Sequence, residues 1–197
     1  SQAKEGKIEL TASCDGLLKV DNRGLKAVNG FGQMMIATRH GNFAVKKGDK
    51  LAGTRIIPLI IEEEKMEAAR TAASRATGGK PILELMPFVH KKVGIVTTGN
   101  EVFHGRIKDT FTPVIEEKIS EFDTEVIDHV IWDDDDTKVT ASILDMIQKG
   151  ADVVICTGGM SVDPDDKTPL AIKNTGARIV SYGAPVLPGA MFLLAYY

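Results

Sequence analysis

From Asp152 to Pro169 the chain reads Asp152-Val153-Val154-Ile155-Cys156-Thr157-Gly158-Gly159-Met160-Ser161-Val162-Asp163-Pro164-Asp165-Asp166-Lys167-Thr168-Pro169. This order of residue types suits the holding of a small ligand on backbone amides, hydroxyls and a carboxylate. Val153 to Cys156 are apolar at every position, as a strand covered on both faces must be. Gly158-Gly159 permit close backbone approach and dihedrals closed to other residues. Thr168-Pro169 predicts a helix entrance, with the hydroxyl as N-cap and proline at the first helical position. Exposed amides, hydroxyls and Asp166 then gather at the carboxyl end of one strand, where open α/β sheets bind ligands.

Two other stretches share this layout. Val93-Gly94-Ile95-Val96 ends in Thr97-Thr98-Gly99-Asn100-Glu101, and Val126 to Ile131 ends in Trp132 and the run Asp133-Asp134-Asp135-Asp136. Thr97-Thr98-Gly99 alone would be a simple strand-to-loop turn, but its pairing with Thr157-Gly158 supports a ligand role. Helical spacing separates the strands: Ile107, Phe111, Val114, Ile115, Ile119 and Phe122 in one segment, Val139, Ile143, Met146 and Ile147 in the next. This alternation implies right-handed crossovers and a parallel sheet, so all three polar clusters fall on one sheet edge.

The quadruple aspartate lacks the alternating spacing, central glycine and distal glutamate of a calcium loop. Asp133 and Asp136 read equally well as a helix start favoured by the dipole. Asp134, five positions before Val139, is read as functional. Arg106 and Lys108 are candidate phosphate partners or plain surface charges. His40, His90, His104 and His129 lack metal-ligand spacing and are read as surface or turn residues, with His104 closest to the ligand loop. Trp132 is read as a core plug at its strand end. No Gly-Lys-Ser/Thr phosphate loop is present.

Thr97-Thr98-Gly99-Asn100-Glu101-Val102, Gly105 to Thr110, the Asp134-Asp135 pair, and Thr157-Gly158-Gly159 through Asp166 to Thr168-Pro169 resemble the molybdopterin-binding domain. Molybdopterin adenylyltransferases, molybdenum insertases and gephyrin share that domain, and CinA proteins carry a related one. The resemblance covers roughly Lys91 to Tyr197, and the family more often has Asp where Asn100 stands. It implies a three-layer α/β fold with a parallel sheet, with molybdopterin as ligand or substrate. Asp166, Asp134 and Glu101 would be the catalytic acids and the Mg²⁺ ligands. Thr97, Thr98, Gly99, Asn100, Asp109, Asp135, Thr157, Gly158, Gly159, Ser161 and Thr168 would bind the cofactor. The chemistry is consistent with this. Amides at Gly99 and Gly158-Gly159 suit phosphate, Thr97, Thr98, Thr157 and Ser161 add hydroxyl donors, and Asp134 suits the N–H edge of a pterin. Carboxylates with substrate phosphates could complete a Mg²⁺ shell.

Composition bounds the alternatives. The chain has 197 residues with 24 Lys plus Arg against 27 Asp plus Glu, a net charge of -3, which argues against a general nucleic-acid binder. No apolar run approaches the ~20 residues that span a bilayer, and no secretory signal pattern opens the chain. Two cysteines, Cys14 and Cys156, do not make a disulfide framework and fit a reducing cytoplasm. The chain begins at Ser1 without Met and stops inside the apolar pattern Met191 to Tyr197, so a piece of a longer polypeptide is expected. In the resembling family a further strand and a glycine-proline loop follow.

Residues 1–85 are expected to form a smaller β-rich module of unassigned function with one helix, and 91–197 the α/β domain. Short strands are expected at Ile8 to Leu10, Leu17 to Val20, Met34 to Thr38 and Phe43 to Val45, with one or two more in Leu51 to Ile61. Asp15-Gly16, Asn29-Gly30 and Gly41-Asn42 are the turn signals. Asn29-Gly30-Phe31-Gly32 is read as a hairpin turn. Glu62 to Thr77 is rich in helix formers and is stopped by Gly78-Gly79-Lys80-Pro81.

Three function classes follow from the resemblance. One is an enzyme of molybdenum-cofactor assembly, performing adenylyl transfer from ATP or molybdate insertion into the AMP-bearing form. Thr168-Pro169 resembles the adenylyltransferases and Met160-Ser161-Val162 the insertases. The second is a non-catalytic carrier serving a molybdoenzyme. The third is a CinA-like nucleotide pyrophosphatase. A homo-oligomer is expected, with no nucleic acid or membrane partner.

Overall fold

The computed structural model describes residues 6–160, 167–184 and 191–197. They divide into two compact units, Ser1–Phe88 and Val89–Tyr197.

The first unit is built from β1 (Lys7–Thr11), β2 (Gly16–Val20), α1 (Asn22–Asn29), β3 (Met34–Thr38), β4 (Phe43–Val45), β5 (Lys50–Ile56), α2 (Glu63–Thr77) and β6 (Leu83–Pro87). Its strands form two antiparallel sheets, ordered β1-β5-β3 and β4-β2-β6. Ala12, Leu18, Val45 and Leu51 form its buried cluster, with Val20, Leu83 and Leu85 packed against them.

Two elements here depart from the sequence reading. Among the described residues the unit has two helices, not one, and Asn29-Gly30 ends α1 rather than turning a hairpin. The missed start signal is Asp21, whose carboxylate accepts the amides of Arg23 at 2.9 Å and Gly24 at 3.2 Å. Gly24 reads as a helix breaker in sequence, but it is where α1 meets its neighbour. A Cβ there would lie 2.5 Å from Thr77 Cγ2 and 3.0 Å from Ile82 Cγ1. Strand β6 also escaped notice. It pairs with β2 over Gly16↔Pro87 to Val20↔Leu83, a partnership remote in sequence.

The second unit runs β7 (Lys91–Thr98), α3 (Asn100–Phe103), α4 (Phe111–Ser120), β8 (Thr124–Trp132), α5 (Asp136–Gln148), β9 (Val153–Thr157), α6 (Thr168–Asn174), β10 (Arg178–Gly183) and β11 (Phe192–Tyr196). The parallel sheet expected from the alternation is present, ordered β8-β7-β9. Side chains alternate along β7. Gly94, Val96 and Thr98 face α5 and α6, where Val96, Val139, Ile143, Met146 and Ala171 form the buried core. Thr97 faces the other side, where it meets Thr112 of α4. Helices therefore cover opposite faces, giving three layers.

The chain leaves β7 toward the α4 face, whereas it leaves β8 and β9 toward the α5/α6 face. This reversal makes the carboxyl edge around β7 a topological switch point. It follows from strand order: right-handed crossovers to opposite sides of β7 must use opposite faces.

Helix α4 starts at Phe111, so Ile107 precedes it in the connecting segment. The carbonyl of Glu101 accepts the amides of Arg106 and Ile107 and turns the chain there. The apolar end of the chain forms an antiparallel ribbon, β10 with β11, which strand-helix alternation did not foresee. Both cysteines are free, and burial pushes the Cys156 thiol up to about 12, which suits a small core hydrophobe. Among the described residues no helix is long and apolar enough to cross a membrane.

Candidate functional site

The carboxyl edge of the sheet is knitted by threonines. Thr98 Oγ1 donates to the carbonyl of Thr157 at 3.2 Å and lies 3.0 Å from Thr168 Oγ1. One side chain thus joins β7, β9 and the start of α6. Thr168 is the first residue of α6, not its N-cap. Lys167 precedes the helix without a side-chain cap, and proline follows in the first turn. The expected capping bond gives way because the buried Thr168 hydroxyl is turned toward Thr98.

Gly158 and Gly159 adopt left-handed backbone, with φ of 85° and 53°. A Cβ on Gly158 would fall 2.0 Å from the Thr98 carbonyl oxygen, and one on Gly159 would fall 2.7 Å from Thr168 Oγ1. The protein therefore needs these glycines for its own packing before any ligand arrives.

On the other face a second polar network surrounds Thr97. Its hydroxyl lies 3.0 Å from Thr112 Oγ1 and 3.2 Å from His129 Nε2, and Thr157 Oγ1 donates to it at 3.4 Å. Thr112 donates its hydroxyl proton to Asp109, whose other oxygen accepts the amides of Phe111 and Thr112 at the start of α4. With its only proton given to Asp109, Thr112 can only accept from His129 at 3.2 Å. His129 Nε2 is therefore the protonated ring nitrogen. His129 was read as a surface or turn residue; it is instead half-buried in this network. The signal was the alternation Ile127, His129, Ile131 along one strand, but its meaning needed the β7–β8 register.

Burial works against the Asp109 charge. The hydroxyl and amide of Thr112 and the amide of Phe111 outweigh it and hold the carboxyl below its ordinary value. A depressed carboxyl contributes stability above its unfolded value of ~3.9 and loses it as pH falls through the folded value. Wild type is therefore expected to exceed Asp109→Ala in stability by a constant margin above about pH 4, a margin that shrinks in more acid solution. Fluorescence of Trp132, the chain's only tryptophan, measured during unfolding at a series of pH values, checks this. An unchanged margin at pH 2 would contradict it.

The acid run after β8 divides by task. Both oxygens of Asp133 lie 3.1 Å from Lys138 Nζ, which raises the lysine's affinity for its proton. Asp135 is the N-cap of α5, accepting Lys138 N at 3.2 Å and Thr137 N at 2.9 Å. These amides hold its carboxyl low. Asp136 accepts Asn174 Nδ2 at 3.3 Å. Asp134 accepts Asn100 Nδ2 at 2.8 Å, which brings the first loop to the second. Phe103 of α3 rests 6.2 Å from the Trp132 ring, and Lys138 stands 5.6 Å from the same ring. Trp132 Nε1 donates to Ser142 of α5 at 2.7 Å, so the indole plugs the strand end as expected. Glu101, Arg106 and Lys108 are exposed, and His104 sits beside Phe103 with ring centroids 5.2 Å apart.

The structure thus brings Thr97, Thr98, Gly99, Asn100, Asp134, Thr157, Gly158, Gly159 and Thr168 to one sheet edge. Asp109 and Asp135 serve as helix-start acceptors at its margins. Ser161 and Asp166 lie outside the described residues. The site suits a ligand with N–H donors and phosphate. Asp134 keeps acceptor capacity, and the Gly158-Gly159 turn carries backbone to the rim. For Mg²⁺ the described donors fit poorly. Among the described residues no three His, Cys, Asp or Glu side chains gather as a metal site, and Asp133 to Asp136 each already accept from a nitrogen donor.

A three-layer α/β unit with polar loops at its topological switch point has the architecture in which open α/β sheets hold ligands. Residues 94–194, just over half the chain, match the family described as a probable molybdopterin binding domain, and the chain belongs to that family. A CinA-like protein of Mycobacterium tuberculosis is 32% identical over 80 residues, 41% of this chain and 19% of that protein. One of Syntrophus aciditrophicus is 40% identical over 83 residues, again 41% of this chain and 19% of that protein. The chain matches about a fifth of the length of these curated relatives. Among solved structures, the tungsten cofactor synthesizing protein MoaB of Pyrococcus furiosus is similar at 30% identity and a TM-score of 0.43. That match covers 47% of this chain and 57% of the other.

Proposed function

We propose that the chain binds molybdopterin, or its adenylylated form, at the switch point around β7 and serves molybdenum-cofactor assembly in the cytoplasm. The observation that carries this reading is the convergence of the family's loops on one sheet edge; the Asp134 carboxylate on that edge suits the N–H groups of a pterin. Thr97 and Thr98 are spent on internal bonds, so the backbone of the Gly158-Gly159 turn, with Arg106 and Lys108, supplies the phosphate partners. The test is direct binding of a pterin monophosphate, followed by pterin fluorescence. Asp134→Ala removes an acceptor of charge-assisted hydrogen bonds, each worth about 1.5–3 kcal/mol, and is expected to weaken binding at least ~tenfold. Unchanged affinity would remove Asp134 from the site.

A carrier for a molybdoenzyme is the favoured class over an adenylyltransferase or a CinA-like pyrophosphatase, because each acid of the run Asp133 to Asp136 is already engaged by a nitrogen donor. Pyrophosphate release from ATP, Mg²⁺ and molybdopterin would overturn that preference. Asp166→Asn would then show whether the acid of the glycine loop takes part.

A further inference from the structure

The bond between Asn100 and Asp134 joins the first loop of the site to the acid run through side chains alone. Its direction is fixed, since an ionised carboxylate has no proton to give. Asn100 Nδ2 therefore points an N–H at Asp134 Oδ2 across 2.8 Å. Asn100 is also held in place from its own side. Gly99 N donates to the Trp132 carbonyl at 3.1 Å, Phe103 packs on the Trp132 ring, and the Asn100 carbonyl accepts His104 N at 3.1 Å. The amide is thus presented to Asp134 by a short helix anchored at both ends, and the contact is built into the fold.

A divalent cation needs several oxygens converging on one point, preferably charged. Here the Asp134 oxygen nearest the first loop already accepts an N–H, whose positive hydrogen would stand inside the cation's shell. The other acids of the run offer no substitute. Asp133 is paired with Lys138, Asp135 caps α5 and Asp136 accepts Asn174. Among the described residues no third acid or histidine completes a set.

We propose that Asn100 is a specificity-determining residue: its amide occupies the place beside Asp134 that a resident divalent cation would need. Asp134 then remains an acceptor for the N–H groups of a neutral heteroaromatic edge, and recognition there is independent of divalent metal. The identity of that edge as a pterin rests on the function proposed above; the exclusion of a resident cation does not. A cation that arrives already bound to a nucleotide's phosphates is substrate and is not addressed by this contact.

The inference has a gain-of-function test. Asn100→Asp would set two carboxylates at hydrogen-bond distance, where like charges must share a proton or recruit a cation. The free Mn²⁺ signal in electron paramagnetic resonance, read during titration of the full chain, measures this with the metal alone. Wild type is expected to show no site tighter than ~1 mM, the weak end for oxygen-ligand sites. Asn100→Asp is expected to gain Mn²⁺ affinity at least about tenfold, and Asn100→Asp with Asp134→Asn to lose the gain. A merely structural asparagine would confer no such affinity when replaced, and Trp132 fluorescence checks that each variant is folded. Tight Mn²⁺ binding by wild type that Asp134→Asn abolishes would overturn the proposal, as would a folded Asn100→Asp variant without the gain. In a second arm, a pterin monophosphate is titrated in Mg²⁺ or in EDTA. Equal affinity within about twofold is expected, and binding that requires Mg²⁺ would overturn the inference. No pterin binding in either buffer would reject the pterin reading, while the Mn²⁺ arm still decides the role of Asn100.

Discussion

Gly158→Ala is expected to destabilise the second unit by roughly 3–5 kcal/mol, a left-handed backbone penalty plus an overpacking term. The backbone term arises because φ is +85° at this position. The packing term is the larger concern, because the added Cβ would stand 2.0 Å from the Thr98 carbonyl oxygen. That neighbour is backbone of the central strand and cannot rotate away. Relief requires the turn to lift from β7, which would break the Thr98 bonds to the Thr157 carbonyl and to Thr168. Gly150→Ala separates the two terms. Its φ is +91° and nothing lies within 4 Å of the added atom, so strain alone remains, about 1 kcal/mol. Chemical denaturation followed by Trp132 fluorescence compares them. Equal losses at the two glycines would mean that the close approach of Gly158 to Thr98 is not a constraint.

The second large effect is at the sheet's core. Met146→Ala is expected to cost 2–5 kcal/mol, the usual range for emptying a buried methionine site. Met146 is fully buried among Val96, Val139, Ile143 and Ala171. It also covers a bare strand position: a Cβ on Gly94 would lie 2.5 Å from Met146 Sδ and 3.1 Å from its Cγ. Gly94→Ala alone is therefore an overpacking change, worth ~1–3 kcal/mol because a flexible thioether can partly yield. With Met146→Ala the new methyl enters the vacated space. The double variant is expected to be more stable than the sum of the single losses by about 1 kcal/mol or more, the size of coupling between residues in contact. Strict additivity in urea unfolding would show that Gly94 and Met146 are not packed as described.

Both effects arise from contacts that no sequence pattern announces. Strand-helix alternation after Lys91 was legible because apolar residues recur with the periods of strands and helices, and right-handed crossovers then leave few ways to assemble them. Thr97 to Glu101, the acid run and the Thr157-Gly158-Gly159 turn were placed on one edge by the same reasoning. What each side chain does there depended on register and on which face it points to. Thr97 and Thr98 are adjacent in sequence yet serve opposite layers, one bonded to α4 and the other to α6. Asp135, grouped with Asp134 by its neighbours, is spent on the start of α5. His129 became part of the site only when β8 lay beside β7.

The first unit shows the other limit. Strands β1 to β5 and helix α2 followed from turn residues and local propensity. Helix α1 and strand β6 did not, because Gly24 argues against a helix until Thr77 and Ile82 are seen to fill the space a side chain would occupy. Strand β6 exists through pairing with β2, many residues earlier in the chain. Local chemistry determined which segments could be helix, strand or polar loop, because those preferences act over a few residues. The partners of each threonine and acid, the Asn100 amide at Asp134 among them, were decided by tertiary structure, because a hydrogen bond depends on ångström-scale position and that is set by residues distant in sequence.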